Sequence, residues 1–173
     1  MTTNTQPRWI DTADVAKLIR KHLKSLWPET TFSVRISRYS GGSSVRVRWT
    51  DGPTQREVET VAGRYCGSDF DGMTDSTNYR EPTLVASAAG LELVKYAPGF
   101  VFCDRELSVE KLRKVVAEVS QYFGISPVPQ VVENRWGHSE IMGGDQPAVG
   151  NARGEYHWTI AAVARRWAEG DRN

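Results

Sequence analysis

Arg35, Arg46 and Arg48 alternate with serines on either side of the turn-rich Ser40-Gly41-Gly42-Ser43. Alternation with period two sends all three guanidinium groups to one face of a strand pair. Forked donors on a face poor in acids suit phosphate oxygens. Upstream, Lys17, Arg20, Lys21 and Lys24 recur at helical spacing, and Tyr39 stands at the turn. These eight side chains are the candidate nucleic-acid-binding set. Two plainer readings stay open beside it: a solvated sheet face, or arginines paired with the acidic residues at 69–75.

The other chemistry-bearing residues make weaker patterns. Asp69, Asp71 and Asp75 resemble a calcium loop only superficially, since the glycine and the closing glutamate are not at the required positions. Turn chemistry at Asp71-Gly72 accounts for them, with a magnesium site on one or two of them as the remaining metal reading. His138-Ser-Glu140 has the H-x-E of zinc deaminases, but no cysteine follows Cys103 to complete the ligand set. His22, His138 and His157 are scattered and lack zinc spacing with Cys66 and Cys103. Cys103, in the apolar string FVFC, is expected as a buried and inert thiol. There is no G-x-S-x-G, no Walker loop and no G-x-G-x-x-G. No catalytic residue, metal or cofactor is therefore expected. Trp136 and His138, beside a glycine-rich loop at 137–154, form a second candidate surface for a protein partner. The acids Asp69, Asp71 and Asp75 are the third.

The elements that must position these residues follow from periodicity. Thr12 is the expected cap of a first helix whose buried stripe is Val15, Leu18, Ile19, His22, Leu23 and Leu26, ended by Pro28. A β-hairpin follows: Phe32, Val34 and Ile36 on one strand, Val45, Val47 and Trp49 on the other. Thr54 to Glu57 matches a capping box, opening a second helix with Val58, Val61, Ala62 and Tyr65 inward and Gly67 just past its end. Residues 68–82 are expected as an acidic loop anchored by Phe70 and Met73, residues 84–89 as strand or short helix, and residues 99–103 as a buried strand. Ser108 caps a third helix that buries Val109, Leu112, Val115, Val116, Val119, Tyr122 and Phe123, and Gly124 stops it. After a bend at Pro127 and Pro129 and the loop at 137–154, residues 156–169 are expected as a closing helix that buries Trp158, Ile160, Ala161 and Val163.

This pattern predicts an α+β fold: an N-terminal α-β-β-α unit with helices on one face of a small antiparallel sheet, then a mixed middle segment and C-terminal helices. Residues 1–7 are expected to be frayed, 8–105 to form the main domain, and 106–173 to be a helical extension on the same core. A chain of 173 residues with 39% hydrophobic side chains needs neither disulfide nor metal to build a core. No apolar run approaches a membrane span, and residues 1–9 carry no secretory signal, so a cytoplasmic location is expected. Net charge is +1, but it is uneven. Residues 8–50 hold nine basic side chains against three acidic ones, and residues 51–82 hold three against seven.

The string SRYSGGSSVRVRWTDGPT from residue 37, followed by a helix and FDGMTD, resembles the large polyvalent protein-associated domain designated type twenty-nine. The matching positions are Tyr39, Ser40, Gly41, Gly42, Ser43, Trp49, Gly52, Phe70, Asp71, Gly72, Met73 and Asp75, and the similarity covers about residues 9–105. The resemblance implies context rather than chemistry: phage and conjugative-element proteins that accompany or protect incoming DNA or oppose host defence. Together these readings predict a non-catalytic accessory protein that binds nucleic acid. The alternative is a protein-binding inhibitor of a host defence or restriction component.

Overall fold

The computed structural model describes residues 6–73, 75–87, 90–144 and 159–171. The chain divides into two compact units, Met1–Trp49 with Glu57–Asp104, and Thr50–Arg56 with Arg105–Asn173. Helices and small sheets are mixed in an α+β fold, as the periodicity predicts. No helix among the described residues is long and apolar enough to cross a membrane.

In the first unit, β1 (Arg8–Ile10) precedes α1 (Thr12–Leu26), β2 (Ser33–Tyr39) and β3 (Gly42–Thr50). Then come α2 (Gln55–Ala62), one turn of 3-10 helix at Gly63–Tyr65, β4 (Ser68–Asp71), β5 (Ser76–Tyr79), β6 (Thr83–Ser87), β7 (Gly90–Tyr96) and β8 (Phe100–Glu106). Three sheets result, in the orders β2-β3-β8, β1-β7-β6 and β4-β5. β2 and β3 form the expected antiparallel hairpin, while β1 runs parallel to β7. The core gathers Val15, Ala16, Ile19 and Leu23 of α1 against Val34, Val45 and Val47 of the hairpin. Ile10, Trp49, Val58, Ala62, Val94 and Cys103 complete it. Each fully buried valine contributes about 2 kcal/mol of transfer free energy.

Several expectations are corrected here. The cap of α1 is Asp11, whose Oδ2 accepts from the Ala13 amide at 3.0 Å. Thr12 is buried instead, with its hydroxyl 2.6 Å from that of Ser43. The buried stripe runs through Thr12, Val15, Ala16, Ile19 and Leu23, which leaves Leu18 and Leu26 exposed. His22 is half-buried, its Nδ1 3.0 Å from the Tyr65 hydroxyl. The loop expected at 68–82 contains the β4-β5 hairpin, paired from Ser68 with Tyr79 to Asp71 with Ser76. Met73 is no anchor, since it is 97% exposed at the hairpin tip. Of the two forms expected from residue 84 onward, strand or short helix, the described residues 83–87 take the strand, in a hairpin with β7.

The second unit contains α3 (Val109–Phe123), β9 (Val131–Glu133), β10 (Ser139–Ile141) and α4 (Ile160–Ala168). It has a core of its own, built from Leu112, Val115, Val116, Val119, Val131, Ile160, Val163 and Ala164. Ser108 caps α3 by accepting from the Lys111 amide, and Gly124 takes the left-handed conformation at its end. Tyr122 departs from the expected stripe: it is 72% exposed and packs edge-on against Phe123 and Trp167. Part of the loop expected at 137–154 is β10, antiparallel to β9. Thr159 caps α4 through the Ala162 amide, so this helix starts later than expected. The expected helical residues Tyr156 and Trp158, and His157 between them, lie outside the described residues. The side chain of Arg105 is only 3% exposed. It donates to the carbonyls of Asp51, Gly52 and Ala168 and to Glu169 Oε1 at 2.8 to 3.1 Å.

Gly67 sits where two chain segments meet. Its N–H donates to the Pro98 carbonyl and its own carbonyl accepts from Arg80 N. A Cβ at Gly67 would lie 2.0 Å from the Tyr96 carbonyl oxygen, whereas one at Gly63 would meet nothing within 4 Å. Gly67→Ala should therefore destabilise the protein by at least about 2 kcal/mol. Gly63→Ala should leave it within about 0.5 kcal/mol of wild type in urea titrations.

Candidate functional site

The three arginines read from the sequence lie on the face of β2-β3-β8 that points away from the core. The alternation requires it, because Val34, Val45 and Val47 are buried while Arg35, Arg46 and Arg48 are exposed. The register sets Arg35 directly opposite Arg46, Ser33 opposite Arg48, and Ser37 opposite Ser44. Like charges facing each other across a ladder repel. β8 supplies part of the compensation: Asp104 Oδ2 accepts from Arg46 Nη1 at 3.1 Å and from Arg48 Nε at 3.5 Å. Arg35 has no hydrogen-bond or ion-pair partner among the described residues. Tyr39 stands half-exposed at the end of this face, its ring against Gly42, where a Cβ would come within 3.2 Å of Cε2.

Two aromatic side chains share the face. Cys103 points into the core, so Phe100, Phe102 and Asp104 point outward from β8. The rings of Phe100 and Phe102 are 5.8 Å apart between centroids and nearly parallel, at 16°. The Arg46 guanidinium carbon lies 5.3 Å from the Phe102 centroid, in a cation–π arrangement. Phe102 is 42% exposed. The apolar string hid this, yet the inward positions of Val101 and Cys103 imply it by period two.

The helical cations do not join the arginine face. α1 covers the core side of the sheet, so its outer face and the arginines look in opposite directions. Lys17 pairs with Asp14 at 2.8 Å, Arg20 Nη2 donates to the Val34 carbonyl at 2.5 Å, and Lys24 donates to the Pro28 carbonyl. Lys21 is exposed with no such partner among the described residues.

The acidic candidates are engaged locally. Asp69 accepts from Arg80 through both oxygens, at 2.8 and 2.5 Å, and the guanidinium holds its carboxyl below the ordinary range. Arg80 Nη1 also donates to the Gly63 carbonyl at 2.7 Å. Asp71 Oδ1 accepts from the Met73 amide at 2.9 Å, and Asp75 takes a positive φ of 49° at the tip. The expected turn chemistry accounts for both. No group of three or more metal-ligating side chains occurs among the described residues.

In the second unit, Trp136 is exposed beneath the Arg135 guanidinium, 4.0 Å from the ring centroid. Asn134 Oδ1 accepts from the amides of Trp136 and His138, and His138 Nδ1 lies 3.6 Å from Glu106 Oε1. A cavity of about 1300 Å³ is lined by Glu106, Glu110, His138 and Arg165 among others. Gly144 and Ala161 also line it. A further surface, absent from the sequence reading, lies on the β1-β7-β6 sheet. Trp9, Leu84, Leu91 and Leu93 are all exposed there, and the register pairs Leu84 with Leu93.

The family model described as Large polyvalent protein associated domain 29 matches residues 10–108. No curated protein and no solved structure matches the chain.

Asp104→Asn should raise affinity for any polyanion that binds this face, with stability changed by less than about 1 kcal/mol because both ion pairs are exposed. The test is a binding titration beside a thermal melt. Burial pushes the Cys103 thiol up to about 12, and Cys66 donates to the Ser68 and Gly99 carbonyls. The native protein should thus leave both thiols unreacted with a thiol reagent at pH 8, and the denatured protein should expose both. Above the ordinary thiol value of 9.0 the unfolded chain ionises and the folded one does not, so the Cys103 contribution to stability should fall as pH rises further.

Proposed function

The chain belongs to that family, and on this premise we propose that it is a non-catalytic accessory protein of a phage or plasmid-like element that binds nucleic acid through the outer β2-β3-β8 face. The observation that carries the reading is Arg35, held opposite Arg46 with no carboxylate partner among the described residues. A cation facing a cation across a ladder gains when an anion bridges the pair. Exposed Ser33 and Ser37 add hydroxyl donors on the same face. Binding is mainly electrostatic and weakly sequence-specific, because the face offers phosphate donors and no element shaped to enter a groove. Protection of DNA or counter-defence is the role this binding would serve. Lys21 and its helical neighbours lie on the other side of the sheet and take no part in the same contact.

A second reading, a protein-binding inhibitor of a host defence component, is favoured by the exposed Trp9, Leu84, Leu91 and Leu93 on the other sheet. Asp69 is taken up by Arg80, which removes one charge from the acidic hairpin as a mimic of nucleic acid.

The deciding experiment is binding of labelled DNA and RNA at about 50 and 200 mM salt, beside the triple variant Arg35→Ala, Arg46→Ala, Arg48→Ala. Three phosphate contacts predict an affinity loss of about twentyfold to fortyfold across that salt range, and a flatter dependence in the variant. No binding at the lower salt by folded protein, or equal binding by the variant, would overturn the reading in favour of a protein partner.

A further inference from the structure

The same face carries more than charge, and we infer that it is a stacking platform for single-stranded nucleic acid, with Phe102 as the base-contacting side chain. The inference rests on the preceding reading that this face meets nucleic acid. Phosphate binding alone has no use for Phe100 and Phe102, which lie nearly parallel at 5.8 Å on the outer side of β8. An exposed ring among arginines is the arrangement on which unpaired bases stack while guanidinium groups take the adjacent phosphates. Arg46 belongs to both functions, since its guanidinium lies 5.3 Å from the Phe102 centroid and 3.1 Å from Asp104.

Charge complementarity selects the polyanion, and sheet order selects its strandedness. Arg46 and Arg48 stand on β3, the central strand, with β2 and β8 on either side. A helix or a two-stranded ribbon fits the major groove of a duplex, whereas the centre of a three-stranded face cannot descend into it. A duplex also keeps its bases stacked inside, where Phe102 cannot reach them. A single strand offers a π-face with each base, and Asp104 offsets only part of the charge of the three arginines, which leaves room for a few backbone phosphates.

The test compares the full chain with Phe102→Ala, Phe102→Trp and Arg35→Ala on a labelled homopyrimidine strand of about 12 nucleotides and on a duplex of equal length. Wild type should prefer the strand. Phe102→Ala should lose about tenfold in strand affinity with its salt slope unchanged, and Phe102→Trp should recover it. Arg35→Ala should instead flatten the salt slope by about 0.7. Phe102 is partly exposed, so melting temperatures near wild type will separate lost contact from lost fold. Strand binding by Phe102→Ala equal to wild type, with Arg35→Ala still weakened, overturns the platform and leaves a phosphate-binding face. Preference for the duplex overturns it as well. Failure of wild type to bind either form at about 50 mM salt removes the underlying nucleic-acid reading along with it.

Discussion

β3 is the strand on which the first unit depends, because it lies between two others and has one face that must be dry. Val45, Val47 and Trp49 fill that face against α1 and β2. Their burial fixes the register, since a slip of β3 by one residue would turn the guanidinium groups of Arg46 and Arg48 into the core and three apolar side chains out. The exposed arginines therefore follow from where the valines are buried. The buried hydroxyl pair of Thr12 and Ser43 adds a second pin, tying the first turn of α1 to the start of the same strand.

The outer face is then shaped by what β8 brings beside β3. Asp104 offsets two of the three arginines, and Phe102 places an aromatic ring beneath one of them. The cationic surplus is local and modest, centred on the Arg35 edge. Such a face has short reach at physiological salt, where charges separated by more than about 8 Å are screened. Contact chemistry rather than long-range steering sets what it can hold.

Strong local periodicity was legible: α1, the β2-β3 hairpin, α2 and α3 all lie where spacing predicts, as do the Ser108 cap and the Gly124 stop. The positions of Arg35, Arg46 and Arg48 on one face were legible for the same reason. What escaped was decided by pairing between distant segments. β1 is three residues long and exists through its parallel partner β7, and β4-β5 is written in polar residues that resemble a loop. Asp104 and Phe102 reached the site only because β8 docks beside β3, which no local pattern encodes. The split between the α1 cations and the sheet arginines had the same cause, since a charge sum along the chain does not say which side of a sheet a helix covers.

The environment of Arg105 places the limits of a module in space rather than in sequence. Its guanidinium is satisfied by carbonyls at 51 and 52 and by the end of α4, so residues 50–56 are held by groups from the far end of the chain. The family-defining stretch, residues 10–108, contains that loop but not all that clasps it. Excised alone, or spliced into another polypeptide, this stretch would carry Arg105 with two of its carbonyl partners and without its carboxylate. A host for it must supply an anion and a surface of its own at that corner, and the C-terminal third is how this chain meets that requirement.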